Sequence, residues 1–450
     1  MKHIKRNPKI EEKLKFWEFL EKSYDGGNSY LEGEYLVQHE RESKQGFKRR
    51  KEQAMYVNLC APIVDLYNGY LYQPEHTRDY GSLGSNKLFE SFKDNVDYLG
   101  HSYTAYIEQL SLRAGVLGFV GVIIDRPADI SLNSLQDQID KDNRAYCVYY
   151  EPSQIYDMEF ESIDGRMVLI KIILEEESNK KDVERFKIWE RDSWVIVEQK
   201  KNEEYEQVDN GVNPLGEVPF VMFANNNPLG EAPSSDIKDI SYINKRIFNI
   251  DSLSMEIIEG SGFPMLEEPY KDEPLDGGDK EVGLGSLLQR GMDDSVGHRW
   301  IEPPHSSLGQ LLSWRSEYID NIKMTAKTDS TQSTGQAQSG EALKIRLRAL
   351  TTVLSNKATS REQAEHNILR LWAKWEDAVF DGTIEYSRKF DVYDMQSEID
   401  TAITAKSVVP SKTYAKVVAL NIVDRTTRDL PPETRDAIEK ELDAPLPPLM

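Results

Sequence analysis

The 450-residue sequence predicts an α+β fold, and three observations predict it. The first 117 residues place their apolar side chains mainly at helical spacing. Residues 118–197 then carry five short runs rich in β-branched and aromatic residues, separated by turn signals. From Ser234 onward helical spacing returns, and one stretch of 40 residues holds no proline. Helices and strands that are segregated along the chain, not alternating, suit an antiparallel sheet packed on helices.

Each element follows from its residues. Glu11–Lys22 reads as a short amphipathic helix that stops before the turn signal Asp25-Gly26-Gly27. Residues 47–72 read as a second helical stretch with Ala54, Val57, Ala61, Val64 and Tyr67 or Leu71 on its apolar stripe. Pro62 kinks or splits it, because proline lacks the amide donor and clashes with the preceding turn. A third helical run spans Leu88 to Leu117. Gly118–Asp125 is a nearly continuous apolar run that fits a buried strand. Tyr146–Tyr150, Met167–Leu174, Arg185–Trp189 and Trp194–Val197 follow as strands, with turns at Asp164-Gly165 and Arg191-Asp192-Ser193. A cluster of Pro, Gly and Asn from Asn213 to Gly230 marks the next boundary.

After that boundary, Ser234-Ser235 offers an N-cap, and Asp236 falls in the first turn, where the helix dipole favours a carboxylate. The stripe Ile237, Ile240, Ile243 or Asn244, Ile247, Ile250, Ser254 and Ile257 continues to the stop Gly260-Ser261-Gly262. Residues 263–305 form a Gly- and Pro-rich insertion, and seven carboxylates crowd its first part: Glu267, Glu268, Asp272, Glu273, Asp276, Asp279 and Glu281. A second capped helix starts at Ser306-Ser307 and runs through Ile322. Asp329–Gly340 has no aliphatic side chain larger than Ala, so it has little to bury and reads as a loop. Glu341–Phe380 reads as one helix. At a rise of roughly 1.5 Å per residue it would be about 60 Å long. Its stripe is Leu343, Leu347, Leu350, Leu354, Ala358, Ala364, Ile368, Trp372, Trp375 and Val379. The tail, 383–450, begins strand-like at Thr383–Tyr386 and continues as two or three short helices.

Composition excludes several classes. The hydrophobic fraction of 39% is too high for a disordered chain. No uncharged run approaches the roughly 20 residues that a membrane span needs. The basic N-terminus has no apolar stretch behind it, so no secretory signal is expected. Two cysteines, Cys60 and Cys147, make no disulfide framework. With 55 Lys+Arg against 77 Asp+Glu the formal net charge is −22. That balance argues against a protein that grips a phosphate backbone.

A search for catalytic chemistry is mostly negative. The P-loop pattern is missing, and Gly115-Val-Leu-Gly118-Phe-Val-Gly121 lacks G-x-G, so it reads as close packing at a helix-to-strand join. Seven scattered histidines form no H-E-x-x-H, and neither C-x-x-C nor G-x-S-x-G occurs. No metal, cofactor or catalytic residue is expected. Trp372 and Trp375 read as core. Two charge features remain. Arg41, Lys44, Lys48, Arg49, Arg50 and Lys51, with Glu42, form either a solvated helix face or a phosphate or partner contact. Lys323 and Lys327 before the polar loop, and Lys344, Arg346 and Arg348 after it, could touch DNA phosphates without reading sequence.

The order of these parts resembles the portal proteins of tailed bacteriophages, the head-to-tail connectors. The resemblance rests on Gly216–Gly230 leading into Ser234–Asn244, on a small insertion and a returning helix, and on Ser339–Arg348 opening a very long helix. Tyr30-Leu-Glu-Gly33, Phe47-Lys-Arg-Arg50 and Tyr56-Val-Asn58 are also similar. It spans roughly residues 30–440. It implies a wing at 1–233, stem helices at 234–262 and 306–326, a clip at 263–305, a tunnel loop at 327–340, a long wing-to-crown helix at 341–382 and a short, mainly helical crown at 383–450. It further implies a ring, commonly a dodecamer, at one capsid vertex of the virion, assembled in the host bacterial cytoplasm. Double-stranded DNA would pass through it in packaging and ejection.

The DNA-facing tunnel loop would then be Lys327, Thr328, Asp329, Ser330, Thr331, Gln332, Ser333, Thr334, Gln336, Gln338 and Ser339. The seven clip carboxylates would meet the large terminase and the head-tail adaptor, and the major capsid and scaffold proteins would be further partners. An acidic bore would let the duplex slide. Two other readings stand beside this one: an acidic, carboxylate-dependent hydrolase, and a virion structural protein without a DNA channel.

Overall fold

A computed structural model describes residues 4–40, 42–127, 135–178, 180, 182–200, 204–226, 233–262, 265–269, 287–290, 299–301, 305–328, 340–388 and 390. At 135, 200, 260–262, 265–269, 287–290, 299–301, 305–306 and 340–347 it describes the backbone alone. The chain folds as two units, Met1–Gln332 with Ala349–Lys389, and Ser333–Arg348 with Phe390–Met450. Of the second, the described part is mainly the opening turns of the long helix.

The class is α+β, as the sequence predicts. The helices and strands before the hairpin are α1 (Pro8–Asp25), α2 (Gly27–Glu32), α3 (Lys44–Gln53), α4 (Ala61–Tyr72), β1 (Thr77–Asp79), α5 (Lys87–Asp94), α6 (Tyr103–Leu117), β2 (Phe119–Asp125), α7 (Leu135–Asp140), β3 (Tyr146–Tyr150), β4 (Ile155–Ile163), β5 (Arg166–Glu176), β6 (Val183–Glu190), β7 (Ser193–Lys200), β8 (Glu206–Val212) and β9 (Phe220–Ala224). Then come α8 (Ile240–Gly262), β10 (Met265–Pro269), β11 (Leu287–Arg290), β12 (Arg299–Ile301), α9 (His305–Thr325), α10 (Gly340–Trp375) and β13 (Thr383–Glu385).

Two of the helical runs read from sequence are split. Between α3 and α4 the chain is extended, and Asn58 Oδ1 accepts from the Cys60 and Ala61 amides. That starts a new helix with Pro62 in its first turn. Val57 therefore belongs to a connector and not to a stripe. Likewise 88–117 divides into α5 and α6, because Asp97 and Asn95 side chains accept from the backbone around Gly100 (φ 97°).

The single sheet expected from sequence is two sheets, both antiparallel. The first has order β3-β2-β9 and is wholly buried along β2, with Gly121 facing Met222 on one side and Tyr150 on the other. Its third strand, β9, comes from the Pro/Gly/Asn cluster read as a boundary; flanking turn residues hide a five-residue strand. The second is a meander, β4-β5-β6-β7-β8, with Ile173, Phe186, Val197 and Tyr205 packed on one face. Its edge strand β8 is polar and mostly exposed, which removes the alternation that marks a strand in sequence, whereas the other edge, β4, alternates Met158 and Phe160 with Asp157, Glu159 and Glu161.

The long helix ends at Trp375 and not Phe380, giving 36 residues. Its length is therefore about 54 Å. Val379 lies beyond it and is exposed. Leu350, Leu354, Ala358, Ala364, Ile368 and Trp372 are buried as the stripe requires, and Leu343 and Leu347 lie where only backbone is described. Trp372 and Trp375 anchor the helix to the first sheet and its approach. The Trp372 indole N–H donates to the Ala145 carbonyl at 3.0 Å. The Trp375 indole N–H donates to the Ile124 carbonyl at 2.8 Å. Both are core, as the sequence predicts.

Candidate functional site: the helical hairpin and its root

α8 and α9 pack together as a hairpin, joined across 263–304 by a segment that contains a three-stranded sheet of order β11-β10-β12. β10 runs parallel to β11 and antiparallel to β12. Glu267 and Glu268 lie on β10, opposite Leu288 and Gln289. Asp272, Glu273, Asp276, Asp279 and Glu281 lie outside the described residues.

The first half of α8 is held by aromatic packing. Phe248 enters a cluster with Phe19, Tyr30, Leu36 and Tyr56, in which the Tyr30 and Tyr56 rings stack at 3.6 Å. Asn249 Oδ1 accepts from the Val37 amide at 2.8 Å. Arg49 and Arg50, which from sequence form a solvated face or a phosphate contact, serve this docking. Arg50 is buried, holds Glu42 with two nitrogens at 2.7 and 2.8 Å, and reaches Val37 O and Ser252 Oγ. Arg49 pairs with Glu256 of α8. Lys48 and Lys51 stay exposed beside Glu52 and Glu34. Arg41 is outside the described residues.

Both ends of the hairpin converge on one buried point. Asp236, expected to complement a helix dipole, is instead bound by tertiary partners. Its amide donates to Gly115 O at 2.9 Å. Its Oδ2 accepts from Lys357 Nζ at 2.6 Å, and its Oδ1 accepts from Asn225 Nδ2 at 2.8 Å. The chain stays in turns until Ile240. Lys357 also donates to Asn225 Oδ1, as does Arg361 at 3.2 Å. Arg361, fully buried one turn further along α10, additionally bonds Ser111 Oγ at 3.0 Å and Ala224 O. At the other end of the hairpin Tyr67 Oη donates to Ala326 O, and the Tyr67 ring lies 5.6 Å from Lys357 Nζ.

The glycine-spaced segment makes this convergence possible. A side chain at Gly115 would meet the Asp236 carboxylate at 2.9 Å. One at Gly118 (φ 96°) would meet Pro233 O at 2.8 Å. Only glycine accepts both that closeness and that backbone angle without strain. Close packing, the reading given to this motif from sequence, is its role.

α9 ends in a Schellman cap. Lys327 adopts φ 54°, its amide donates to Met324 O at 3.1 Å, and the Thr328 amide donates to Lys323 O at 2.9 Å. Thr328, expected among DNA-facing hydroxyls, is therefore buried, and its hydroxyl bonds Lys323 O at 3.4 Å. Lys327 is exposed, and Lys323 pairs with Asp320 at 3.1 Å. Asp329, Ser330, Thr331, Gln332, Ser333, Thr334, Gln336, Gln338 and Ser339 lie outside the described residues, as do the Lys344 and Arg346 side chains; Arg348 is exposed on α10.

Sequence reasoning missed the group formed by Asp236, Asn225, Lys357, Arg361 and Ser111. One signal was available. The apolar stripe of α10 skips from Ala358 to Ala364, and Arg361 fills that gap at helical spacing, so a charge occupies a core position.

Large apolar side chains also remain exposed on the hairpin: Tyr242, Leu253, Met255 and Ile258 on α8, and Leu312, Trp314 and Met324 on α9. Among the described residues no cluster of His, Cys, Asp and Glu could hold a metal, and no helix is long and apolar enough to cross a membrane. Cys60 and Cys147 are buried and form no disulfide, and burial pushes the Cys60 thiol up to about 11.

The first unit is thus an α+β body carrying a two-helix hairpin, with a long helix locked at the hairpin's root, and residues 20–420 match a family model of phage portal proteins. The chain belongs to that family, described as Phage portal protein, SPP1 Gp6-like. No curated protein matches the chain. Membership makes the protein structural and not an enzyme, which overturns the hydrolase alternative, and implies self-assembly into a ring at a capsid vertex of the virion.

Proposed function

We propose that the ring encloses a channel through which double-stranded DNA is packaged and later ejected, without sequence specificity. The observation that carries this reading is the α8–α9 hairpin, whose exposed Tyr242, Leu253, Leu312, Trp314 and Met324 side chains are left for neighbouring subunits to cover. A ring commonly of twelve copies would supply that cover. In this reading residues 1–233 form the wing, α8 and α9 the stem, 263–305 the clip, and 383–450 the crown.

The segment from Asp329 to Ser339 leaves the capped end of α9 and returns at α10, which would carry its hydroxyls and amides into the bore. Lys327, Lys344, Arg346 and Arg348 would stand at its two ends as phosphate contacts that centre the duplex, while the overall charge of −22 per subunit keeps it from sticking. The clip carboxylates would dock a basic face of the large terminase during packaging and of the head-tail adaptor afterwards. The wing would meet the major capsid and scaffold proteins during assembly in the host bacterial cytoplasm.

Replacing Ser330–Gln338 by a short glycine linker tests the channel role. Ring assembly is expected to persist, while the amount of DNA packaged or retained per particle falls severalfold. Packaging and retention at the wild-type level would remove the loop from the DNA path, and loss of the ring would make it an assembly element.

A further inference from the structure

The root of the hairpin holds more positive charge than its one carboxylate balances. Lys357 Nζ and the Arg361 guanidinium lie on one face of α10 at i and i+4 and share Asn225 Oδ1, and Asp236 is the carboxylate against them. From α4 the facing group is Tyr67, and from α6 it is Ser111, neither of them charged; Tyr72 and Tyr386 act on Arg361. All of these groups sit where the two ends of the hairpin meet, at Asp236 and at Ala326.

We propose that the Lys357–Asp236 contact is a proton-sensitive latch between the α8–α9 hairpin and α10, poised so that the charged lysine favours release and the neutral lysine favours closure. This is the reverse of an ordinary surface ion pair, and the physical reason is burial. Burial pushes the Lys357 ammonium down to about 8; the Asp236 carboxylate opposes that shift, and the Arg361 charge adds to it. When the root opens to water the lysine regains an ordinary value near 10.5. Between these two values the closed root binds fewer protons than the open one, so closure strengthens as pH rises through that window. At neutral pH the latch is therefore held under a standing cost, and a small displacement of the hairpin relieves it. The Tyr67–Ala326 bond carries the same displacement to the start of the segment at 329, since Tyr67 also packs its ring on Lys357.

The latch is tested on the full-length assembled protein by amide hydrogen exchange, read over residues 237–245 and 322–328 and corrected for the intrinsic pH dependence of exchange. In wild type the opening constant of these amides is expected to fall about tenfold between pH 6.5 and 9. In Lys357→Arg, which keeps a cation that cannot lose its proton, and in Lys357→Met with Asp236→Asn, which removes both charges, this slope is expected to vanish. The wild-type slope alone can decide the sign if a variant fails to fold. A constant that rises with pH, as an ordinary ion pair would give, overturns the proposal. So does a slope that is flat in wild type, or that persists in a folded variant.

Discussion

Arg78→Ala is expected to destabilise the protein by about 3–5 kcal/mol, because it strands a buried carboxylate. Glu365 is fully buried in α10, and its two oxygens accept from Arg78 Nε and Nη2 at 2.9 and 3.0 Å. Tyr386 Oη donates to the same carboxylate, and the Tyr386 amide donates to Glu362 at 2.7 Å. Arg388 also pairs with Glu362, and β13 pairs with β1 at Thr77↔Glu385. One ion pair thus ties β1, α10 and the strand that follows α10 together. Denaturant unfolding should show the loss, and hydrogen exchange should rise selectively over 383–388. Arg78→Ala with Glu365→Leu should recover most of the stability, since no uncompensated charge remains. A single variant that unfolds within about 1 kcal/mol of wild type would contradict this account. Acid should act in the same place. His76 stacks on Tyr386 at 3.9 Å, and burial holds its imidazole down to about 4. The unfolded state takes up the proton first, near 6.5, so stability falls as pH drops from there towards 4 and then levels off.

Asp236→Ala is expected to cost a similar amount, about 3–5 kcal/mol, because it leaves the Lys357 ammonium buried beside Arg361 with no carboxylate. The informative comparison is the cycle with Lys357→Met. Lys357→Met alone strands Asp236, whereas the double variant places apolar volume where two desolvated charges stood and should be close to wild type. A coupling energy of about 2 kcal/mol or more is the expected result, measured by unfolding of each variant. Additive losses would mean that the two side chains act through their other contacts, such as those each makes with Asn225, and not on each other.

Much of the fold was legible because periodicity reports burial on one face. The stripe of α10 and the buried strand β2 follow directly from their residues, and so do the hairpin helices. Strand β9 was hidden by the prolines and asparagines around it, and β8 by its polar, exposed face. The helical runs were over-extended at Asn58 and near Gly100, where side-chain-to-backbone hydrogen bonds outcompete helix continuation. The root of the hairpin was illegible for a different reason. Its members, at 67, 111, 115, 225, 236, 326, 357 and 361, come from separate segments, and only tertiary contact makes them a group. Even so, a charge at Arg361 in the apolar stripe pointed to it. Arg49 and Arg50 carried the opposite lesson, since two members of a basic run read as a solvated face or a phosphate or partner contact proved to bind α8 within the subunit.

Electron microscopy of the purified, negatively stained protein decides whether it forms a ring with a channel. Closed rings with a central hole wide enough for a DNA duplex are expected, accompanied by a mass in solution many times that of one subunit. A monodisperse single subunit at every concentration, with no ring in the images, would contradict that expectation.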